Sequence, residues 1–191
     1  MNKFVITGSP GCGKSSIIRG LEISYNKNVI REAAEDFILY QKALGIVNPR
    51  LAPDFQSSIL ELLIKRESKI PVDCNEVFLD RGVPDVFGYL PVGSELYDKS
   101  LELATLQRRN VNTLKRPHDY DTNPLYTPYT KVFVVTSLGI IENTDVRCED
   151  HINALEIGKL IFEAYTNLGY EVVMIPKMPL TDRIKMILSN V

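Results

Sequence analysis

The chain has 191 residues, 45% hydrophobic and 24% charged, with a net charge of −2, a globular balance that fits one domain with a sizeable core. No global positive field favours nucleic acid, no apolar run approaches the ~20 residues of a membrane span, and no signal peptide precedes the first apolar run. Three scattered cysteines, Cys12, Cys74 and Cys148, lack metal-ligand spacing and suit a reducing setting, so a cytoplasmic protein is expected.

The first predicted element is a strand over Lys3–Thr7. It runs into Gly8-Ser9-Pro10-Gly11-Cys12-Gly13-Lys14-Ser15, which fits the phosphate-loop pattern G-x-x-x-x-G-K-[ST] without mismatch. A helix over Gly13–Leu21 follows, with Ser16 in its first turn. Glycines let the backbone wrap a phosphate so that successive N–H groups point inward. The helix N-terminus adds partial positive charge and free donors. Residues Gly8 to Ser16 are therefore the candidate nucleotide site. Lys14 reaches for the terminal phosphates, and the Ser15 hydroxyl for their Mg²⁺. The motif specifies a nucleoside triphosphate, ATP or GTP, without choosing the base.

The second strand, Asn28–Ile30, leads to Glu32. Ligands sit at strand C-termini in open α/β sheets, where a carboxylate can take a proton from an attacking hydroxyl; helix capping is the competing role. Helices are predicted over Glu35–Leu44 and Asp54–Lys69. The third strand, Glu76–Leu79, ends at Asp80, placed to hold Mg²⁺. Arg81 follows, placed to brace substrate or the transferring phosphoryl group.

The stretch Pro91–Thr130 opens as a helix over Tyr97–Arg109 and continues as a basic, proline-bearing loop, read as a lid or substrate insertion within one domain spanning 1–191. The fourth strand is Lys131–Val135. Beyond it Arg147 is the single base in Asn143–Glu149, and positive charge over a triphosphate stabilises the transition state. A helix over Ile152–Leu168, a fifth strand over Glu171–Ile175 and a helix over Thr181–Leu188 complete the chain. Apolar strands joined by helices predict a three-layer α/β domain with a five-stranded parallel sheet in order 2-3-1-4-5.

Together the phosphate loop, Glu32, Asp54-Phe55-Gln56, Leu79-Asp80-Arg81-Gly82-Val83-Pro84-Asp85 and Thr144-Asp145-Val146-Arg147-Cys148-Glu149 resemble the AAA_28 group. These are phosphate-loop proteins close to the ribosylnicotinamide kinase domain and other nucleoside kinases. The resemblance implies Glu32 as general base, Asp80 and Arg81 positioning it and the substrate hydroxyl, and Arg147 as a lid arginine. It also implies Gln56 hydrogen-bonding a nucleobase and Asp85 in the substrate site. The chain departs from the group at Asn143-Thr144, where such lids often carry a further arginine.

The leading expectation is a kinase that moves the terminal phosphoryl of ATP or GTP to a small, nucleoside-like hydroxyl compound, with Mg²⁺. The alternative is a nucleotide-binding switch or a partner-driven NTPase. Against a Ras-like switch, no Asn/Thr-Lys-x-Asp motif follows a strand, Asp80 lacks the required third-position glycine, and Asp85-Val86-Phe87-Gly88 does not end an apolar strand.

Overall fold

A computed structural model describes residues 1–109, 123–138 and 151–191. Five strands, β1 (Asn2–Gly8), β2 (Val29–Ile30), β3 (Glu76–Asp80), β4 (Lys131–Val135) and β5 (Val172–Ile175), form one sheet in the order β2-β3-β1-β4-β5. Every pairing is parallel, with Val5 opposite Leu79 on one side and Val132 on the other. The helices are α1 (Lys14–Tyr25), α2 (Ala33–Ala43), α3 (Phe55–Glu67), α4 (Glu95–Arg108), α5 (His151–Asn167) and α6 (Leu180–Leu188). The predicted sheet order and layers are those observed.

Central position explains the sequence of β1. A strand covered on both faces has no use for polar alternation. Phe4 and Ile6 join Phe78 and Phe133 in a core with Ile17 and Leu21 of α1 and Ile184 and Ile187 of α6. Val5, Leu79, Val132 and Val134 face the other way, onto Ile161 and Tyr165 of α5. A third core joins α2, α3 and α4 around a 3-10 turn, Val83–Gly88.

Two features depart from expectation. Helix α1 continues past Leu21 to Tyr25 and ends at Asn26 in a left-handed conformation (φ 49°). Gly20, inside the helix, is a contact point: a Cβ there would lie 2.4 Å from Ile184 Cδ1, so its bareness lets α6 seat on α1. The second is the 3-10 turn after β3, which carries no periodic signal.

Lys3 is fully buried at the start of β1. Its ammonium donates to Glu67 at 2.6 Å and to the carbonyls of Pro124 and Thr127, each at 2.9 Å. Glu67 also accepts from Gln107 Nε2 at 2.9 Å and the Tyr129 hydroxyl at 2.7 Å. A buried ion pair holds only when its remaining hydrogen-bonding capacity is met. Here that requirement ties α3, the end of α4 and the stretch after Asn123 to the central strand.

Candidate active site

The C-terminal ends of β1, β2 and β3 converge on a cleft of about 370 Å³. One end of it is the turn between β1 and α1. Gly8, Gly11 and Gly13 stand at φ 134°, 75° and 92°, values that L side chains avoid. Gly13 caps α1 with no side-chain cap, leaving the first-turn N–H groups for an anion. Lys14 is buried, and its Nζ donates to the Gly8 carbonyl at 3.1 Å and the Ser9 carbonyl at 2.9 Å. Pro10, Gly11, Gly13, Lys14 and Ser15 line the cleft. Ser9 and Cys12 are buried behind them, and Ser16 is exposed.

Glu32 stands at the N-cap position of α2 but makes no cap hydrogen bond. Its carboxylate instead accepts from Arg81 Nε at 2.8 Å and lines the same cleft as Lys14. Burial pushes its pKa up, but the charges of Arg81 and then Lys14 outweigh burial and hold it below the usual carboxylate range. Glu32 is thus ionised and oriented.

Arg81 has a left-handed backbone, φ 76°. Such a conformation costs a non-glycine residue about 1–2 kcal/mol. It persists because the side chain is gripped twice: Nε on Glu32, and Nη1 on Asp85 Oδ1 at 3.0 Å. Asp85, only 2% exposed, is in turn saturated. Oδ1 also accepts from Thr7 Oγ1 at 2.5 Å, and Oδ2 accepts from the Gly82 N–H at 3.1 Å and the Tyr165 hydroxyl at 2.7 Å. A Cβ on Gly82 would lie within 2.7 Å of the Tyr129 and Tyr165 hydroxyls, so this turn needs glycine for close approach. Asp85 borders the cleft, yet its hydrogen bonds serve the protein: it holds Arg81, which holds Glu32.

Asp80 ends β3 and is 3% exposed. Burial, and next the negative charge of Glu32, push its carboxyl up to about 7. Its Oδ1 is buried with no hydrogen-bond partner. A buried, unpartnered carboxylate oxygen is costly unless a cation serves it. That observation fits Mg²⁺, a hard ion held through one or two carboxylates plus phosphates, with Ser15 as the hydroxyl donor.

The rest of the cleft is more apolar. Phe55, Ile59, Leu63, Val86 and Tyr89 line it, with Gln56 from the first turn of α3. The Arg50 guanidinium stands 6.0 Å from the Phe55 ring centroid, and that of Arg81 stands 5.6 Å from the Tyr89 centroid. Arg50 and Tyr89 were not expected from the sequence: Arg50 lies in a single 3-10 turn, Pro49–Leu51, and Tyr89 ends another, and neither carries a pattern. Glu32, Arg81, Asp85, Gln56 and Lys14 are brought to one cleft, and Asp80 into their electrostatic neighbourhood. Arg147 lies outside the described residues.

Residues 3–183 match the AAA domain family AAA_28, and the chain belongs to that family. No curated protein matches it. Among solved structures, NadR in complex with NAD and AMP-PNP is 19% identical, with a TM-score of 0.59 over 99% of this chain. NadR in complex with NR is also 19% identical, with a TM-score of 0.57 over 91% of this chain. The chain spans 48% and 43% of those two NadR chains. Deoxyadenosine kinase from M. mycoides, with products bound, is 13% identical, with a TM-score of 0.61 over 98% of this chain and 97% of that one. Thymidylate kinase from Ehrlichia chaffeensis is 12% identical, with a TM-score of 0.59 over 99% of this chain and 97% of that one. The fold is that of the phosphate-loop nucleoside and nucleotide kinases. Among the described residues no helix is long and apolar enough to cross a membrane.

Proposed function

We propose that the chain is a phosphotransferase that moves the terminal phosphoryl of ATP or GTP to the hydroxyl of a small, nucleoside-like acceptor. The observation that carries this reading is the orientation of Glu32. It leaves its helix uncapped, bonds Arg81 and lines the cleft that Lys14 enters. A carboxylate so placed suits the hydroxyl of an acceptor, from which it can take a proton.

In the proposed step the loop N–H groups and Lys14 hold the donor phosphates. The acceptor oxygen forms a bond to the terminal phosphorus as the bond to the bridging oxygen breaks. The nucleoside diphosphate leaves, and the hydroxyl proton passes to Glu32. Arg81 keeps Glu32 aimed and adds positive charge beside the transferring group. Mg²⁺, held by Ser15 and Asp80, neutralises phosphate charge when bound. Phe55 and Tyr89 offer ring faces for a flat base, and Gln56 offers a donor and an acceptor to its edge. Catalysis on this reading is mostly positioning, with the base contributing about 10²–10⁴-fold.

The test mixes the protein with Mg²⁺, terminally labelled ATP or GTP, and a panel of nucleosides, nucleotides and ribosyl compounds. Label on one of them is the expected result. Label released only as free phosphate, and only with a protein partner present, overturns the kinase and favours a partner-driven NTPase.

A further inference from the structure

The proposed phosphoryl transfer makes no use of Arg183, a cation beside the phosphate loop that is buried as deeply as Lys14. Arg183 belongs to α6, near the far end of the chain, and is 3% exposed. Its Nε donates to the Met178 carbonyl at 2.9 Å, and its Nη1 donates to the Cys12 carbonyl at 3.0 Å. Its Nη2 is buried with no hydrogen-bond partner. Among the described residues no carboxylate pairs with it. A buried guanidinium held by carbonyls alone is an uncompensated positive charge.

The bond to Cys12 also has a geometric consequence. A trans peptide is planar, with its carbonyl and N–H on opposite sides. Drawing the Cys12 carbonyl toward Arg183 turns the Gly13 N–H of the same peptide away from it. Gly13 lines the cleft and sits at φ 92°, and a Cβ at that position would lie 3.5 Å from Arg183 Nη1. The guanidinium therefore backs the loop at the residue that caps α1. Its own placement is rigid, because Ile184 seats against Gly20 and Ile187 is fully buried in the same core.

We propose that Arg183 is a positioning residue for the nucleotide phosphates. It orients the Cys12–Gly13 peptide and supplies, from behind the loop, a positive charge that a bound phosphate chain neutralises. This rests on the reading of the loop as a triphosphate site, and not on the identity of the acceptor. It predicts that the benefit of Arg183 tracks phosphate and not base.

The experiment measures, by calorimetry with Mg²⁺, the affinities of ADP, pyrophosphate and adenosine for wild type, Arg183→Lys and Arg183→Gln, with a ligand-free thermal melt of each. ADP and pyrophosphate affinity is expected to fall about tenfold or more in Arg183→Gln, the weight of a charged hydrogen bond. Arg183→Lys, which keeps the charge on a single donor nitrogen and loses the fork, should recover part of that loss. Adenosine binding should be equal in all three. Unchanged pyrophosphate affinity in a folded Arg183→Gln overturns the proposal, as does an equal loss for adenosine. Should Arg183→Gln fail to fold, Arg183→Lys decides alone: weakened pyrophosphate binding supports the role, and wild-type binding refutes it. A protein that binds pyrophosphate normally yet transfers no phosphoryl group sinks the kinase and leaves this assignment standing.

Discussion

Arg81 donates from Nε to Glu32 across 2.8 Å while its own backbone is held at φ 76°. Strain of that kind persists only where the surroundings over-determine it. The same guanidinium bonds Asp85, so one side chain links the end of β3, the start of α2 and the 3-10 turn. A lysine at this position keeps the charge but loses the rigid fork that serves both carboxylates. Arg81→Lys is expected to lower phosphoryl transfer by about 10- to 100-fold, with nucleotide affinity close to wild type. Single-turnover kinetics beside calorimetry test this. Equal losses in binding and turnover would place Arg81 on the nucleotide instead of on Glu32.

Glu32→Gln keeps an oxygen to accept from Arg81 but cannot take a proton. Transfer should slow by about 10²–10⁴-fold, while Mg-ATP or Mg-GTP binding persists. An unaltered transfer rate would remove Glu32 from the chemistry.

Lys14 spends its hydrogen bonds on carbonyls of its own loop and makes no ion pair among the described residues. Its removal should spare the fold and weaken the nucleotide. Lys14→Ala is expected to cost about 2–5 kcal/mol of triphosphate interaction, as loss of a buried charged contact does. Calorimetry with Mg-ATP and Mg-GTP checks it, and unchanged affinity for both would refute the role.

Much of this architecture was legible in the residues. Apolar strands without alternation announce a parallel sheet, and the strand predicted over Lys131–Val135 is the one observed. The phosphate loop was legible because its chemistry is local: eight consecutive residues do the work. What stayed hidden is assembled from afar. Thr7 and Tyr165 reach Asp85 from 78 and 80 residues away. No spacing rule joins them, and a buried tyrosine on α5 reads as core. Lys3 opens the first predicted strand with nothing in the pattern to mark a partner, yet its ammonium is sealed against Glu67. Arg183 lies 171 residues from the carbonyl it holds. Side chains that serve a site from behind carry the same letters as surface residues, and only tertiary packing distinguishes them.

Asp85 gathers four donors, from β1, Arg81, the Gly82 backbone and α5. Removing an acceptor strands its donors, and breaking a buried charged cluster typically costs about 3–5 kcal/mol. Asp85→Ala should approach that figure in denaturant unfolding. Tyr165→Phe leaves three donors in place and should cost about 1–2 kcal/mol. Equal, negligible effects from both would show that Arg81 holds its conformation without this support.

The Asp80 carboxyl offers a test by pH. Burial first, then Glu32, raise its pKa from the ordinary 3.8 to about 7. A carboxyl raised on folding favours the native state in its protonated form. Its contribution to stability is fully present below pH 3.8 and is lost as pH rises through about 7. Asparagine has nearly the same shape and never ionises. Asp80→Asn should therefore melt at a higher temperature than wild type at pH 8, in EDTA without nucleotide, and the difference should shrink toward pH 5. Adding Mg²⁺ with nucleotide should reverse the order at pH 8, because the ionised carboxylate of the wild type then gains a cation and the amide does not. A melting difference that stays constant from pH 5 to 8 would mean that Asp80 is ionised throughout. A wild type that gains no more than the variant from Mg²⁺ and nucleotide would remove Asp80 from the metal site.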